Sequence, residues 1–585
     1  MKTIRPGIIS VRAVNQYRRR DVLSYLGLRY YLANSATLTD DWARLVASDL
    51  LLTRTDPIYF GAYHFKECKE CGGVEHRAMS LPGPNEALAE AALLDECSNY
   101  PIAFDNPPCV FSYRLNKGEN RSGVFRHYIE GLQDRQRAIA KACDDRPNGI
   151  VLYTDLKRFY PSISTDVALN AWRKQAGVGG LPTRFRDLGE KIIFDHSRAC
   201  NPNDKGILTG PMFSHLVGNL VLRELDEKLS KCLPARYFRY VDDITLVGDE
   251  GEMLQSLSTL KDCFNDMGFS LHDDASQKNF KVSVSEWLKG RDDFLKSRRP
   301  ISWPTLIGDL KKFLFFKPEK REELQNAFRA EGVRIPMRDY SNVVCERDFR
   351  ERIRAFVQNP WFTRKIRGVS IASLLSQAMW LRNTYEMEFS NLAETTNALQ
   401  GYSRKRNIPK LRYRASRLIY LATDDVLASL CLVARELPEL HFHSHVMKAV
   451  ASGNIDDVLP LGTNAAQATA QPLKAAGRRC TTSIQELSEK TEQALSVFLL
   501  NGLTVDRSAN ISIGTSDLMR FAVSGSDISL MKSAEQFIRE IACLHGLTEH
   551  PRHSEILDAA FDKDEDMALD AIDQLQGESS GAGIY

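Results

Sequence analysis

An acidic pair inside a strand-like sequence, Asp242-Asp243, offers the clearest chemistry in this chain. The run from Arg236 to Val241 is rich in residues that favour β-strands, and so is the run from Ile244 to Val247. This pattern predicts a β-hairpin with the two carboxylates at its tip. An ordinary solvated turn is the alternative, because Asp is a common turn residue. A third carboxylate elsewhere in the chain favours the functional interpretation.

That third carboxylate is Asp155, which ends the buried-type strand predicted from Gly149. A strand that ends there can face the hairpin tip across adjacent strands. Two or three carboxylates suffice to hold Mg²⁺, which prefers hard oxygen ligands and keeps some of its waters. Two such ions about 3.5–4 Å apart stabilise the attacking and leaving oxygens of an in-line displacement at phosphorus. The three residues therefore predict a site for divalent metal.

The segments between and after these carboxylates predict a mixed α+β layer. A glycine-punctuated turn from Lys205 to Pro211 leads into a helix with apolar residues at helical spacing. A further strand is predicted from Gly268. Other helices are predicted from about Asp166, at Thr183–Ala199 and at about Glu252–Met267. This order of elements is typical of helices on one face of an antiparallel sheet.

Composition limits the class of protein. The chain has 585 residues, 43% of them hydrophobic, and a formal charge of +2, so several domains are expected and any nucleic-acid surface must be local. We expect no membrane span, because no apolar run approaches about 18 residues. We expect no secretory signal either, and the 12 scattered cysteines suit a reducing cytosol, so a cytoplasmic location is predicted.

One cluster of cysteine and histidine allows two interpretations. Cys68 and Cys71 form a Cys-x-x-Cys pair flanked by His64 and His76, a set that can hold tetrahedral zinc. No second Cys-x-x-Cys lies nearby, and a plain polar turn is the preferred interpretation.

Basic residues occur among tyrosines near the N-terminus and again from Tyr402 to Arg417. Such stretches can grip single-stranded nucleic acid, and packing within amphipathic or solvated helices is the alternative. Cationic residues before the first strand are candidates for binding a triphosphate, namely Arg114, Lys117, Arg121, Arg126 and Arg135.

The second half of the chain is predicted to be almost wholly helical. Helices of 15–25 residues from about 348 to 575 suggest stacked helical hairpins in the manner of HEAT-like repeats, without a clean period. The Ala/Thr/Gly-rich stretch from Asn454 to Arg478 is predicted to be a loop or linker. The last residues, from Gly577, are predicted to be disordered.

Four segments in this order resemble the palm of reverse transcriptases. Asp155 with Phe159-Tyr160 looks like motif A, and Gly206 to Asp226 looks like motif B. Tyr240-Val-Asp242-Asp243 looks like motif C, and Gly268 to Lys278 looks like motif D. A palm joined to a long helical region resembles the bacterial defence-associated, abortive-infection (Abi-type) reverse transcriptases. The resemblance implies RNA-directed or untemplated DNA polymerase activity in antiphage defence.

The resemblance also implies a domain order: an N-terminal and fingers region at 1–148, a palm at 149–290, a basic connector at 291–347 and an all-α helical-repeat-like C-terminal domain at 348–585. The fold class is α+β, with right-hand-like fingers and palm. Asp155, Asp242 and Asp243 would be catalytic. The implied metal-binding set is Asp155, Leu156, Asp242 and Asp243, for two Mg²⁺ with Mn²⁺ as a substitute. The implied nucleotide-binding residues are Tyr160 as the steric gate against a ribose 2′-hydroxyl, with Phe159, Gly210 and Lys278.

One departure from the family bears on the template. Many relatives have Pro-Gln-Gly in motif B, where this chain has Leu208-Thr209-Gly210. Weakly templated, self-primed synthesis from a tyrosine is therefore one hypothesis, with Tyr17, Tyr30, Tyr31, Tyr402 and Tyr413 as candidates. A retron or group II intron-like enzyme that copies a structured noncoding RNA is the alternative, and a non-catalytic nucleic-acid scaffold is a third. Expected partners are dNTPs, RNA or DNA as template or product, and further copies of the chain.

Overall fold

The computed structural model describes residues 7–18, 20–32, 36–69, 73–118, 123–200, 206–272, 278–289, 301–337, 369–507, 516–524 and 528–542. Their buried apolar side chains form one main core that extends from Ile9 to Met519. The basic connector predicted at 291–347 lies only partly within these residues, and the predicted disordered tail lies outside them. Among the described residues, no helix combines the length and apolar composition needed to cross a membrane.

The N-terminal part surrounds a long β-hairpin with helices. The antiparallel strands β1 (Tyr59–Cys68) and β2 (Val74–Pro82) form this hairpin, and the sequence predicted only its polar turn. Gly83 and Pro84 then start a helix, because proline is suited to a first helical turn. The helices of this part are α1 (Ile8–Arg18), α2 (Val22–Tyr31), α3 (Ser48–Thr53), α4 (Pro84–Cys97), α5 (Pro101–Phe104) and α6 (Tyr128–Asp144), with a π-helix at Trp42–Ala47.

A four-stranded antiparallel sheet follows, in the order β4–β5–β3–β6. Its strands are β3 (Ile150–Asp155), β4 (Arg236–Tyr240), β5 (Asp243–Gly248) and β6 (Phe280–Ser283). The associated helices are α7 (Phe159–Ser162), α8 (Thr165–Gly179), α9 (Thr183–Ala199), α10 (Met212–Cys232) and α11 (Glu250–Asp266). The sheet and the helices together confirm the α+β class.

The strand predicted from Gly268 is wrong in position. Leu271 makes only an isolated bridge with Leu156, and the strand beside β3 is formed later, at Phe280–Ser283. Backbone hydrogen bonds from Lys157 to Ser270, at 2.8 Å, and from His272 to Asp155, at 2.9 Å, pair this short segment with the end of β3, and Phe269 and Leu271 are buried in the main core.

The two faces of this sheet are both covered. Alternation along β3 places Leu152 in the main core and places Val151 and Tyr153 in a second core on the other face. Helix α6 covers that second face through Ile139 and Cys143. Asp155 has the same parity as Tyr153, so its carboxylate lies at the edge of the face that α6 covers.

Helices predominate after the sheet, as predicted. They are α12 (Trp303–Phe316), α13 (Arg321–Ala330), α14 (Ile371–Asn397), α15 (Gly401–Leu421), α16 (Asp424–Arg435), α17 (His441–Ser452), α18 (Thr463–Ala476), α19 (Glu489–Leu500), α20 (Asp517–Ser524) and α21 (Gln536–Ala542). Neighbours in sequence pack as pairs, α14 with α15, α16 with α17 and α18 with α19. The region is not purely α-helical, since β7 (Cys480–Thr482) and β8 (Val505–Arg507) form a short parallel pair.

The linker predicted at Asn454–Arg478 is wrong. Most of this stretch is helix α18, and nearly all its residues are buried. Small alanine side chains allow close packing, and the polar side chains find partners: Thr469 donates to the Ala465 carbonyl and Gln471 to Asn501, each at 2.8 Å. The scarcity of large apolar residues in this stretch therefore reflects tight packing of small side chains and not exposure to solvent.

Candidate functional site

The three predicted carboxylates lie together. Asp155 at the end of β3 is directly opposite Asp243, the first residue of β5, and Asp242 precedes it in the hairpin turn. One side-chain oxygen from each lies within 4.8 Å of the other two, and Asp155 is only 2% exposed. Among the described residues this is the only such group of acidic, histidine or cysteine side chains.

The hairpin turn is shifted by one residue from the prediction. Tyr240 pairs with Asp243, so the turn consists of Val241 and Asp242. Val241 has a φ of 58°, which is unfavourable for a β-branched residue. Its N–H donates to Ser112 Oγ at 2.9 Å, and its carbonyl accepts from Arg239 at 2.7 Å. These contacts hold the strained turn that presents Asp242.

A fully buried ion pair anchors the same hairpin to α10. Arg239 donates to both carboxylate oxygens of Asp226, at 2.6 and 2.8 Å, and Tyr237 donates to Asp226 at 2.8 Å. Burial lowers the pKa of Arg239, but Asp226 outweighs burial and the pKa is raised. Arg239 also donates to Asn219 at 3.2 Å. Helix α10 and the β4–β5 hairpin are therefore joined by a charged network within the core.

Burial and mutual repulsion together set the electrostatics of the three carboxylates. Burial, followed by the charges of Asp155 and Asp243, raises the pKa of Asp242 well above its usual value. Lys278 donates to Asp155 Oδ2, and His272 Nε2 lies 3.6 Å from the same oxygen. Burial lowers the pKa of Lys278, but Asp155 raises it more, so the net shift is upward. A compact group of acidic side chains that repel one another favours cation binding.

The residues fit a divalent cation. Asp155 Oδ1 is buried with no hydrogen-bond partner among the described residues, as expected for an oxygen that faces a metal. The three carboxylates offer the hard oxygen ligands that Mg²⁺ requires, but they do not select it over Mn²⁺. Leu156 is buried in the core, so only its backbone is suited to a role beside the metal.

A buried arginine from α6 faces the third carboxylate. Arg135 NH1 lies 3.9 Å from Asp243 Oδ2, and Arg135 NH2 donates to Thr245 Oγ1 at 2.7 Å. The guanidinium carbon lies 6.0 Å from the ring centroids of both Tyr153 and Tyr240. Arg135, one of the cationic residues that the sequence suggested for triphosphate binding, therefore faces a carboxylate of the site instead.

Tyr160, the predicted gate, lies on α7 and is half-buried. Its hydroxyl is 2.5 Å from Nδ1 of His215, a buried residue of α10. Phe159 is buried at 4% exposure and packs against Tyr160 and Phe269. Phe159 therefore packs against the predicted gate residue from the core side, while Tyr160 stays partly accessible.

Gly210 makes a tight contact with the first hairpin. Its φ is 130°, and a Cβ there would lie 2.4 Å from the carbonyl oxygen of Ser80 in β2. The adjacent Thr209 carbonyl accepts from the Ser80 N–H at 2.8 Å. The turn at Thr209 and Gly210 therefore packs directly against strand β2.

A small cleft adjoins the hairpin at Tyr240. Two arginines line it, Arg114 and the exposed Arg126, whose N–H donates to the Arg114 carbonyl at 2.8 Å. Lys117 instead pairs with Asp105 at 2.8 Å, and Arg121 lies outside the described residues. The other lining residues are Phe111, Tyr113, His127, Tyr128, Glu130, Gly131 and Asp134.

The residues of the zinc hypothesis have separate partners. His64 Nε2 lies 2.7 Å from Asp21, and His76 Nε2 donates to the Pro460 carbonyl at 2.8 Å. Cys68 ends β1, and Cys71 lies outside the described residues. The described residues of this cluster lie on the paired strands β1 and β2, with both histidines used in packing, and the residues predicted to form the polar turn lie partly outside the described part.

The tyrosines considered as primers are mostly buried. Tyr17, Tyr31 and Tyr402 are 0%, 1% and 8% exposed, and Tyr31 donates to Asn85 at 2.8 Å. The Tyr30 side chain lies outside the described part. Tyr413 is half-buried, with the Arg417 guanidinium 4.2 Å from its ring centroid.

The basic stretch around Tyr413 in α15 is largely paired within the protein. Arg404 donates to Glu439 at 2.8 and 2.9 Å, and Arg414 donates to Glu388 at 2.8 Å. These contacts tie α15 to its neighbours, so the described arginines serve packing between helices.

Sequence reasoning missed the roles of several buried polar residues. Arg239 shares a strand face with Tyr237, and alternation in β4 could have placed both side chains on the side of the sheet where Asp226 of α10 lies. His215 had no comparable signal, because a single histidine in an apolar helix is usually a core residue. Its partners are distant in sequence.

Two comparisons with known proteins found no similarity. No protein-family model matches the chain, and no curated protein matches it significantly. Any conclusion about function therefore depends on the geometry of the site.

Proposed function

We propose that this protein is a metal-dependent DNA nucleotidyltransferase with a reverse-transcriptase-like palm. The observation that carries the proposal is the group of three carboxylates on opposed strands, with oxygens within 4.8 Å and a buried, unpartnered oxygen on Asp155. The order of the motifs supports the same class. In this proposal Asp155 and Asp242 hold two Mg²⁺, and Asp243 assists.

Bound metal would activate a hydroxyl nucleophile and stabilise charge on the leaving pyrophosphate. The residues of the chain orient the reactants around it. Lys278 contacts Oδ2 of Asp155, so it would lie beside a metal held by that carboxylate, and in this proposal it is the cation that meets the triphosphate. Arg126, the exposed cation of the neighbouring cleft, supplies further positive charge, which Glu130 and Asp134 of the same lining partly offset.

The proposed substrates are dNTPs, with Tyr160 placed to exclude a ribose 2′-hydroxyl. RNA or DNA serves as template or product, and Thr209 in place of the motif B glutamine favours weakly templated synthesis. The alternative is a retron or group II intron-like enzyme that copies a dedicated noncoding RNA. We further propose a cytoplasmic role in antiphage defence, in a homo-oligomer, on the basis of the resemblance to abortive-infection enzymes.

Incorporation of labelled dNTPs in Mg²⁺ or Mn²⁺ tests the activity. We expect Asp155→Asn and Asp242→Asn each to reduce incorporation by at least about 100-fold, equivalent to about 2.7 kcal/mol of transition-state stabilisation. Asp266→Asn, at an exposed position near the end of α11, is the matched control and should retain wild-type activity. Equal activity of the site variants and the control would refute the assignment.

The same assay without added primer or template distinguishes the modes of synthesis. Label that stays with protein on denaturation and is released by protease supports self-priming. Since three of the proposed tyrosines are buried, Tyr413→Phe is the first variant to examine. Label that requires a supplied RNA and separates from protein on denaturation favours the retron-like alternative.

A further inference from the structure

His215 contacts the predicted gate through a short hydrogen bond and ordered ring packing. Its Nδ1 is 2.5 Å from the Tyr160 hydroxyl, and the rings meet edge to face at a centroid distance of 5.4 Å. On its other side His215 stacks on Tyr113, with centroids 3.7 Å apart and planes 5° from parallel. The imidazole is 2% exposed, so the packing fixes both its position and its plane.

The partner of the second ring nitrogen determines the direction of the hydrogen bond. Arg20 contacts Nε2 of His215, and a guanidinium can only donate. Nε2 must therefore carry the lone pair, which places the hydrogen on Nδ1. Nδ1–H then donates to the Tyr160 oxygen, and the tyrosine's own hydrogen must point away from His215. This assignment follows from the partners of the ring.

A neutral imidazole is consistent with the surroundings of this ring. Burial, followed by the positive charge of Arg20, lowers the pKa of His215 well below its usual value. A stable tautomer gives Tyr160 one fixed donor. Arg20 also donates to the Tyr113 hydroxyl at 3.3 Å, so one arginine holds both the histidine and the ring stacked on it.

We infer that His215 is a positioning residue that sets how strictly the site selects 2′-deoxynucleoside triphosphates over ribonucleotides, an inference that rests on the proposed polymerase function. Exclusion of a hydroxyl by an aromatic ring requires a ring that cannot swing aside. Tyr160 is half-buried and Phe159 supports only one side of it. The hydrogen bond from His215 restrains the hydroxyl end of the ring, where small displacements matter most.

The test measures kcat and KM for dATP and ATP in a set of four variants. His215→Phe keeps a flat ring for Tyr113 but removes the donor. It should lower the dATP/ATP ratio of kcat/KM by about five- to tenfold, equivalent to about 1–1.4 kcal/mol. The change should come mainly from improved use of ATP. His215→Asn, whose amide N–H can replace Nδ1–H, should retain most of the selectivity.

Tyr160→Phe removes the acceptor and should relax selectivity to a similar degree. The double variant His215→Phe/Tyr160→Phe should then equal Tyr160→Phe, because the histidine acts through the tyrosine hydroxyl. An unchanged ratio in Tyr160→Phe, or independent effects in the double variant, would overturn the inference. Tyr160→Phe alone decides the matter if the His215 variants fail to fold. Lack of dNTP incorporation by the wild-type protein is a different result and would refute the proposed polymerase function itself.

Discussion

At the scale of single residues, Asp243 differs from the two acidic residues beside it. The buried guanidinium of Arg135 lies 3.9 Å from its carboxylate and is fixed by Thr245 and two aromatic rings. Asp155 instead meets Lys278, which has a flexible side chain. A rigid cation neutralises Asp243 and holds it in place, so it is less able to donate an oxygen to a metal.

This asymmetry predicts unequal effects of substitution. Asp243→Asn should retain at least about tenfold more incorporation than Asp242→Asn, because a lost metal ligand removes more than about 1.4 kcal/mol of transition-state stabilisation. Titration of each variant with Mg²⁺ measures both the maximal rate and the metal requirement. Asp266→Asn again serves as the exposed control. Equal losses at positions 242 and 243 would contradict the separation of roles.

At the scale of elements, α10 organises the site, since it carries His215, Asn219 and Asp226. Its N-terminus follows Pro211, which provides no side-chain cap. Glu90 of α4 supplies an acceptor, because its Oε2 receives the Phe213 N–H at 3.1 Å. A carboxylate at a helix N-terminus is favourable, but burial raises the pKa of Glu90 to about 8.

The raised pKa makes stability depend on pH. Between the usual glutamate pKa of 4.5 and about 8, the folded protein keeps a proton on Glu90 that the unfolded chain has released. Stability from this group is therefore lost as pH rises through that window. Glu90→Gln keeps a hydrogen-bond acceptor without the charge. The melting temperature of this variant should therefore rise relative to that of the wild type as pH increases from 6 to 9.

Thermal unfolding at several pH values measures this gain. The expected increase is at least about 3 °C, since 1 kcal/mol corresponds to about 2–4 °C in domains of moderate size. Glu322→Gln, at an exposed position in α13, is the control and should follow the wild type at every pH. A constant difference between Glu90→Gln and wild type would show that Glu90 does not titrate in this range.

At the scale of the whole molecule, the β1–β2 hairpin lies between the motif B turn and the C-terminal helices. Thr209 and Gly210 contact the outer edge of β2 at Ser80. On β1, Gln493 donates to the Gly61 carbonyl at 2.8 Å, and the Phe65 N–H donates to Asn464 at 3.3 Å. Side chains thereby satisfy backbone groups that an open strand edge would expose.

Charged and polar contacts link the same parts of the chain. Asp21, just before α2, accepts hydrogen bonds from His64 at 2.7 Å and from Thr463 at 2.9 Å. Arg54 pairs with Glu86 of α4 at 2.5 Å and with Glu540 of α21 at 2.9 Å. The C-terminal helices therefore help to hold the β1–β2 hairpin, which packs against the turn at Thr209 and Gly210.

Gly462 provides a test of this packing. Its φ is 100°, and a Cβ there would lie 2.1 Å from the Tyr63 carbonyl oxygen in β1. Gly462→Ala should lower the melting temperature and increase hydrogen exchange of the β1 amides, since backbone must move. Gly308→Ala in α12, where a Cβ meets no atom within 4 Å, should instead stabilise by about 0.5–1 kcal/mol. Unchanged exchange in β1 of Gly462→Ala would show that this contact does not hold the hairpin.

The sequence determined the parts of this protein that depend on local pattern. Residues that favour β-strands, together with the acidic residues, predicted β3, the β4–β5 hairpin and the meeting of Asp155 with Asp242 and Asp243, and the sequence pattern also predicted helices α9 and α10. Local pattern failed where packing overrides composition. Helix α18 looked like a linker because its residues are small and polar, and the turn at Val241 is held against its own preference by Ser112 and Arg239.

Only the tertiary structure decided which side chains support the site. Arg20 and His215 are 195 positions apart, Lys278 and Asp155 are 123 apart, and Asp21 and Thr463 are 442 apart. Periodicity records which face of an element is apolar, but it does not record which distant element covers that face. The roles of Arg135 and His215 follow from those long-range contacts, because a buried polar group must take its partner from whatever the fold places beside it.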